Sequence, residues 1–153
     1  MNLFSNLPAF PAYVGALLVL GVNVLGLANA TALTRGKASE VVNPEDQALN
    51  KTATVVYEGG NDVTARYRRA HRNALENVPL FLITALVLTG LGASATVGAA
   101  LFYPFAGLRV VHSFCYVKAI QPLRTIAFVL ALLVQFAILG FIGYYAFVAP
   151  AAS

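Results

Sequence analysis

Apolar positions in this chain neither alternate nor recur on a single helical face; they come in long runs interrupted by one extended polar stretch. Nothing between Pro11 and Leu33 is charged. About 20 apolar residues cross about 30 Å of hydrocarbon, so this run predicts a spanning helix over about 11–34. A polar connection, 35–62, follows. Within it Asn43-Pro44-Glu45-Asp46 has the form of a short helix start, with Asn as cap, Pro at the first helical position and acids in the first turn. Gly59-Gly60-Asn61-Asp62 then breaks the chain. The next apolar run, Val78 to Leu91, has only 14 residues and spans only if the polar segment before it joins the same helix, over about 63–91. Pro79 marks a point for a kink where the two halves meet. Gly92-Ala93-Ser94 turns the chain into a third helix over about 96–118, and Gln121-Pro122 breaks it before a fourth over about 122–148. The predicted fold class is all-α: an integral membrane, antiparallel four-helix bundle forming one domain over 1–153. Ala28-Asn29-Ala30 has the small-x-small form of a leader cleavage site, yet residues 1–10 hold no Lys or Arg. The first run is therefore read as a retained span.

Composition strengthens this reading. Of 153 residues, 59% are hydrophobic and 10% charged, with a mean hydropathy of +0.74; a soluble domain carries about 25% charged residues. A soluble globule is excluded. The net charge of +4 could suggest nucleic acid, but no basic run with interleaved aromatics lies outside the spans, so nucleic acid is excluded as a partner. The single Cys115 lies in an apolar stretch and reads as a small buried hydrophobe. Arg35, Lys37, Lys51, Lys118 and the Arg66–Arg72 cluster all fall on the side of the first and third connections, which predicts that this side is cytoplasmic.

The placement of the few charges carries the chemistry. Thirteen of the 16 lie between Arg35 and Glu76. On the second helix Arg66, Arg69, Asn73 and Glu76 stand at i, i+3, i+7 and i+10, with Arg72 beside them, a single stripe expected to face inward. Arg109, His112 and Tyr116 make a second stripe at i, i+3 and i+7 on the third helix, and Arg124 and Thr125 open the fourth. Six arginines, including Arg68, thus meet one acid, Glu76. Guanidiniums do not lose their protons and ionisable groups at membrane depth are costly, so the cluster predicts an anionic ligand. Paired guanidiniums suit carboxylate or phosphate, while Asn73 and Glu76 offer acceptors to an amine. A small zwitterion with two carboxylates and one ammonium fits that inventory; anionic lipid is the competing ligand, and Arg66 and Arg68 could instead snorkel to headgroups. His71, His112 and Glu76 could resemble metal ligands, but no Cys or further His completes a set, so no metal is expected. Neither a phosphate loop nor a nucleophile elbow is present.

Arg69-Ala70-His71-Arg72-Asn73 with Leu75-Glu76-Asn77, the upstream Asn43-Pro44-Glu45-Asp46, and Arg109-x-x-His112-x-x-x-Tyr116 before Pro122-x-Arg124 resemble the MAPEG family across nearly the whole chain. That family contains microsomal glutathione transferases, microsomal prostaglandin E synthase and leukotriene C synthase; the Leu-Glu-Asn ending is more similar to the glutathione transferase branch. The resemblance implies a homotrimer with glutathione bound between neighbouring subunits near the cytoplasmic face. It assigns Arg69, Arg72, Asn73 and Glu76, with His71 close by, to glutathione's backbone and carboxylates, and Arg109, His112 and Tyr116 to the same pocket. Arg35 would reach the cofactor from the adjacent subunit, and Arg124 matches the arginine assigned to the thiol. Asp46 matches an acid proposed for catalysis in the prostaglandin synthase, and it also fits a helix-capping role. The implied activity is a membrane-bound glutathione transferase or peroxidase with a role in detoxification: Arg124, aided by Tyr116 or Thr125, stabilises the thiolate, which attacks an apolar electrophile or hydroperoxide arriving through the lipid bilayer. A non-catalytic lipid-binding or scaffold member of the same family is the alternative.

Overall fold

A computed structural model describes Phe4, residues 6–58 and residues 60–148; Gly59 of the predicted breaker cluster therefore lies outside the described residues. Four long helices dominate: α1 (Phe10–Lys37), α2 (Asp62–Gly90), α3 (Ala95–Lys118) and α4 (Leu123–Phe147). All four are long and apolar enough to cross a membrane. In hydrocarbon each backbone amide and carbonyl must be satisfied within the segment, which a continuous helix does. That requirement carries α2 through its polar N-terminal half and through Pro79.

Directions follow from cross-helix neighbours. A Cβ added at Gly98 would meet Ala9, one at Gly15 would meet Tyr103, and Asn23 Nδ2 donates to Ser113 Oγ at 3.1 Å. Each pair is separated by about the same number of residues, so α1 and α3 run parallel. Four-residue turns reverse the chain on either side of α3, and α2 and α4 run the other way. Neighbours are α1 with α2 and α3, and α4 with α2 and α3; α1 and α4 do not touch among the described residues.

The core draws on all four helices, with Ala131 and Ile138 of α4 joining residues of α1, α2 and α3. Phe81 stacks on Phe105 at 4.1 Å between centroids and meets Phe102 edge-on at 6.0 Å. Small residues, Ala12, Ala16, Ala85 and Ala106, fill the spaces around them and allow close helix approach, as is usual in membrane bundles. One polar contact sits in this apolar layer. Gln135 Nε2 of α4 donates to Thr84 Oγ1 of α2 at 3.0 Å, both buried.

Between α1 and α2 the polar connection is more ordered than its sequence suggests. Two-residue strands, β1 (Glu40–Val41) and β2 (Thr54–Val55), pair in parallel, around a 3-10 helix, Pro44–Ala48. Asn43 N–H donates to Asp46 Oδ2 at 3.3 Å, so Asp46 does close the helix start. Glu40 then ties the loop to α2: Asn61 N–H donates to its Oε1 at 2.8 Å and Asn61 Nδ2 to its Oε2 at 3.2 Å. Asn61 Oδ1 in turn accepts from Val63 and Thr64 N–H, capping α2. Gly60 makes this approach possible, with φ of +78° and no side chain; a Cβ there would come within 2.6 Å of Glu40 Oε2.

Gly98 is the tightest helix contact, since its Cβ would lie 2.7 Å from Ala9 Cβ and 3.1 Å from Ala9 Cα. Gly98→Leu is therefore expected to cost about 1–3 kcal/mol, read as a lower thermal midpoint in detergent. Gly107→Leu, where a Cβ meets nothing within 4 Å, should leave the midpoint unchanged.

Candidate functional site

The site begins with a buried charge. Arg109 sits mid-helix on α3 with 1% of its surface exposed. Its Nη2 donates to Asn73 Oδ1 at 2.6 Å and to the Asn73 carbonyl at 3.1 Å, and Asn77 Nδ2 donates to that same carbonyl at 2.8 Å. Asn73 can accept in this way because α2 lays Ala70 and Ala74 against its neighbours, which brings the two backbones close. Glu76 is the carboxylate whose field reaches Arg109. Two further nitrogens of Arg109, Nε and Nη1, are buried without a hydrogen-bond partner among the described residues.

One turn further along α3, His112 Nδ1 lies 3.0 Å from the carbonyl of Arg124. A carbonyl only accepts, so Nδ1 carries the proton and Nε2, buried and without a partner, is the free ring nitrogen. His112 thereby fixes the start of α4 against α3. The turn between them is made by Ala119, in the left-handed conformation at φ +59°, with Ile120 N–H closing back on the Cys115 carbonyl at 2.9 Å. This path lays the Arg124 guanidinium over the Tyr116 ring, with Cζ 4.7 Å from the centroid. The His112 ring packs edge-on against Tyr116 at 5.7 Å and against Phe128 at 5.8 Å. The Gln121 amide, with its oxygen toward Arg124, accepts from Arg124 Nε at 3.1 Å and from Nη2, and donates to Thr125 Oγ1 at 3.1 Å. Thr125 thus reaches Arg124 through Gln121, a residue the sequence reading treated only as a breaker.

Asn73 is thereby linked to Arg109, and one turn further along α3 a second group, His112, Tyr116, Arg124 and Thr125, is linked by direct contact or through Gln121. The rest of the α2 stripe joins neither group. Arg69, Arg72 and Glu76 are exposed, on the side of the helix nearly opposite Ala70, Ala74 and Val78. The expected inward orientation is corrected: at 100° per residue the small residues and the arginines cannot share a face, and the small residues occupy the interior. Arg69 and Arg72 border an open cavity of about 200 Å³ with Glu58, Ala65 and Arg68. His71 is half-buried. Arg35 lies elsewhere, in a cavity of about 250 Å³ with Thr31, Glu40, Thr64 and Arg68, and does not join the Arg109 group.

Fold and site define a class: a multi-pass membrane protein with a buried basic-polar cluster joining three of its spans. A family model described as the MAPEG family matches residues 11–144, and the chain belongs to that family. It is 32% identical to prostaglandin E synthase of Macaca fascicularis over 131 residues, 85% of each chain. It is 31% identical to the Homo sapiens protein of that name over the same length and coverage. Against microsomal glutathione S-transferase 1 of Homo sapiens the identity is 33% over 123 residues, 78% of this chain and 77% of the relative. These figures are too similar to separate the two branches.

Removing the Asn73 side chain while leaving Arg109 leaves the buried guanidinium with the Asn73 carbonyl alone. Asn73→Leu is expected to destabilise the protein by about 1.5–3 kcal/mol, and adding Arg109→Leu should recover most of the loss. Equilibrium unfolding of both variants in detergent checks the cycle.

Proposed function

We propose that this protein is a membrane-bound glutathione transferase, with peroxidase activity toward lipid hydroperoxides. The observation that carries the reading is the Arg124 guanidinium, held between the Tyr116 ring and Gln121 and anchored through its own carbonyl by His112. A fixed cation lowers the cost of a thiolate; a shift of two pKa units in bound glutathione requires about 2.7 kcal/mol. The family and its glutathione transferase relatives support the choice of thiol.

In this reading glutathione's carboxylates bind Arg69 and Arg72, its ammonium meets Glu76, and its backbone meets Asn73, with His71 beside them. The unpartnered Nε and Nη1 of Arg109 and Nε2 of His112 supply further polar groups to the tripeptide. Arg69, Arg72 and Glu76 face out of the subunit, so the pocket needs a second wall. A neighbouring copy in a homotrimer provides it, bringing its own Arg35. Arg124, with Tyr116 and Thr125 as hydroxyl donors, holds the thiolate, which attacks an apolar electrophile delivered by the bilayer. Basic residues gather at one end of the bundle, and this end is cytoplasmic by the asymmetry of Lys and Arg.

The test is ultraviolet thiolate absorbance on adding glutathione to the purified protein, paired with conjugation of chlorodinitrobenzene and reduction of cumene hydroperoxide. Arg124→Ala is expected to keep glutathione binding and to lose thiolate formation and about 10²-fold or more of the conjugation rate. An Arg124→Ala protein with undiminished thiolate would overturn that role, and failure of the unaltered protein to bind glutathione would favour the non-catalytic, lipid-binding alternative.

A further inference from the structure

A second site, separate from the basic cluster, lies on the outer side of α1 and α3. Because these helices run parallel, the space between them is a groove directed along the bilayer normal, as an acyl chain is. Its volume is about 310 Å³, and Val22, Gly26, Val110, Phe114 and Val117 form its walls. From Val110 to Lys118 it extends about 12 Å at 1.5 Å per residue. Val22 is 72% exposed and Phe114 57%, so both present apolar surface outward from the subunit. The polar groups at the groove, Asn23 and Ser113, hydrogen-bond each other, which makes it acceptable to hydrocarbon.

The groove ends in a different chemistry. Tyr67 of α2 and Lys118 at the last turn of α3 form its mouth, at the end of the bundle where the other basic residues gather. An aromatic hydroxyl and an ammonium at the end of an apolar channel match the depth at which Tyr and Lys meet phospholipid headgroups. Lys118 has no ion pair among the described residues. In every copy of the chain α1, α3 and α4 contain no Asp or Glu, and the acids of the spanning helices are Asp62 and Glu76 of α2. The Lys118 ammonium is open to an anion from outside the chain.

We infer that the α1–α3 groove is a binding site for an anionic phospholipid, with an acyl chain lying along Val22, Gly26, Val110 and Phe114 and the headgroup phosphate held by Lys118 and Tyr67. The site is independent of glutathione and of the catalytic reading above.

Native mass spectrometry of the full-length protein in neutral detergent tests it, with phosphatidylglycerol and phosphatidylcholine added in equal amounts. The unaltered protein is expected to retain phosphatidylglycerol adducts in preference, and Lys118→Gln to reduce that preference about fivefold, the effect of one cation near a phosphate. Gly26→Trp fills the groove from a position where a Cβ meets nothing within 4 Å, so the bundle accommodates it; it should abolish the preferential adduct with oligomeric mass unchanged. Equal retention of the two lipids, or a phosphatidylglycerol preference untouched by both substitutions, would overturn the site. A change in oligomeric mass with Gly26→Trp would overturn it too, because it would place the groove between copies of the chain.

Discussion

A guanidinium held in the membrane part of the bundle is the constraint on which the remaining structure turns. Arg109 cannot shed its proton and is almost wholly enclosed, so α2 must bring an acceptor to it. Asn73 does so with both its side chain and its carbonyl. Small residues at 70 and 74 are what permit that approach, and the same choice turns Arg69, Arg72 and Glu76 to the outside of the bundle. One buried charge thereby decides which face of α2 is structural and which is exposed.

The α3–α4 corner extends this logic. His112 holds the backbone of Arg124 while leaving its guanidinium over Tyr116 and beside Gln121. A cation placed by a ring face and an amide, with no carboxylate bonded to it among the described residues, keeps its charge available. Structural neutralisation would have used an acid. In the proposed reaction this is the charge that would hold negative charge on sulfur.

Much of this was legible in the sequence, for physical reasons that can be named. Uncharged length identifies a span almost without regard to detail, and the four helices lie where it put them; the spacing of Arg109, His112 and Tyr116 also correctly predicted a shared face. The direction of the α2 stripe was not legible. Periodicity shows that Arg69, Arg72 and Glu76 lie together but not whether the face is covered within the bundle, and alanines at 70 and 74 were the available clue that it is not. The β1–β2 pairing was invisible because two-residue strands carry no alternation, and its anchor, Glu40 on Asn61, depends on contact across 21 residues. Gln135 was detectable in principle: it is the one amide in α4 and lies in the apolar run that follows Thr125, and lone polar groups at that depth seek a partner, here Thr84.

An experimental structure of the protein with glutathione bound in lipid nanodiscs checks the proposed site, in which the basic cluster, completed by a second copy of the chain, holds glutathione with its sulfur at Arg124. The tripeptide is expected against the outer face of α2, its carboxylates on Arg69 and Arg72, its sulfur within about 3.5 Å of the Arg124 guanidinium, and Arg35 of a neighbouring copy at the pocket's edge. Glutathione seated away from α2, or with its sulfur remote from Arg124, would contradict it.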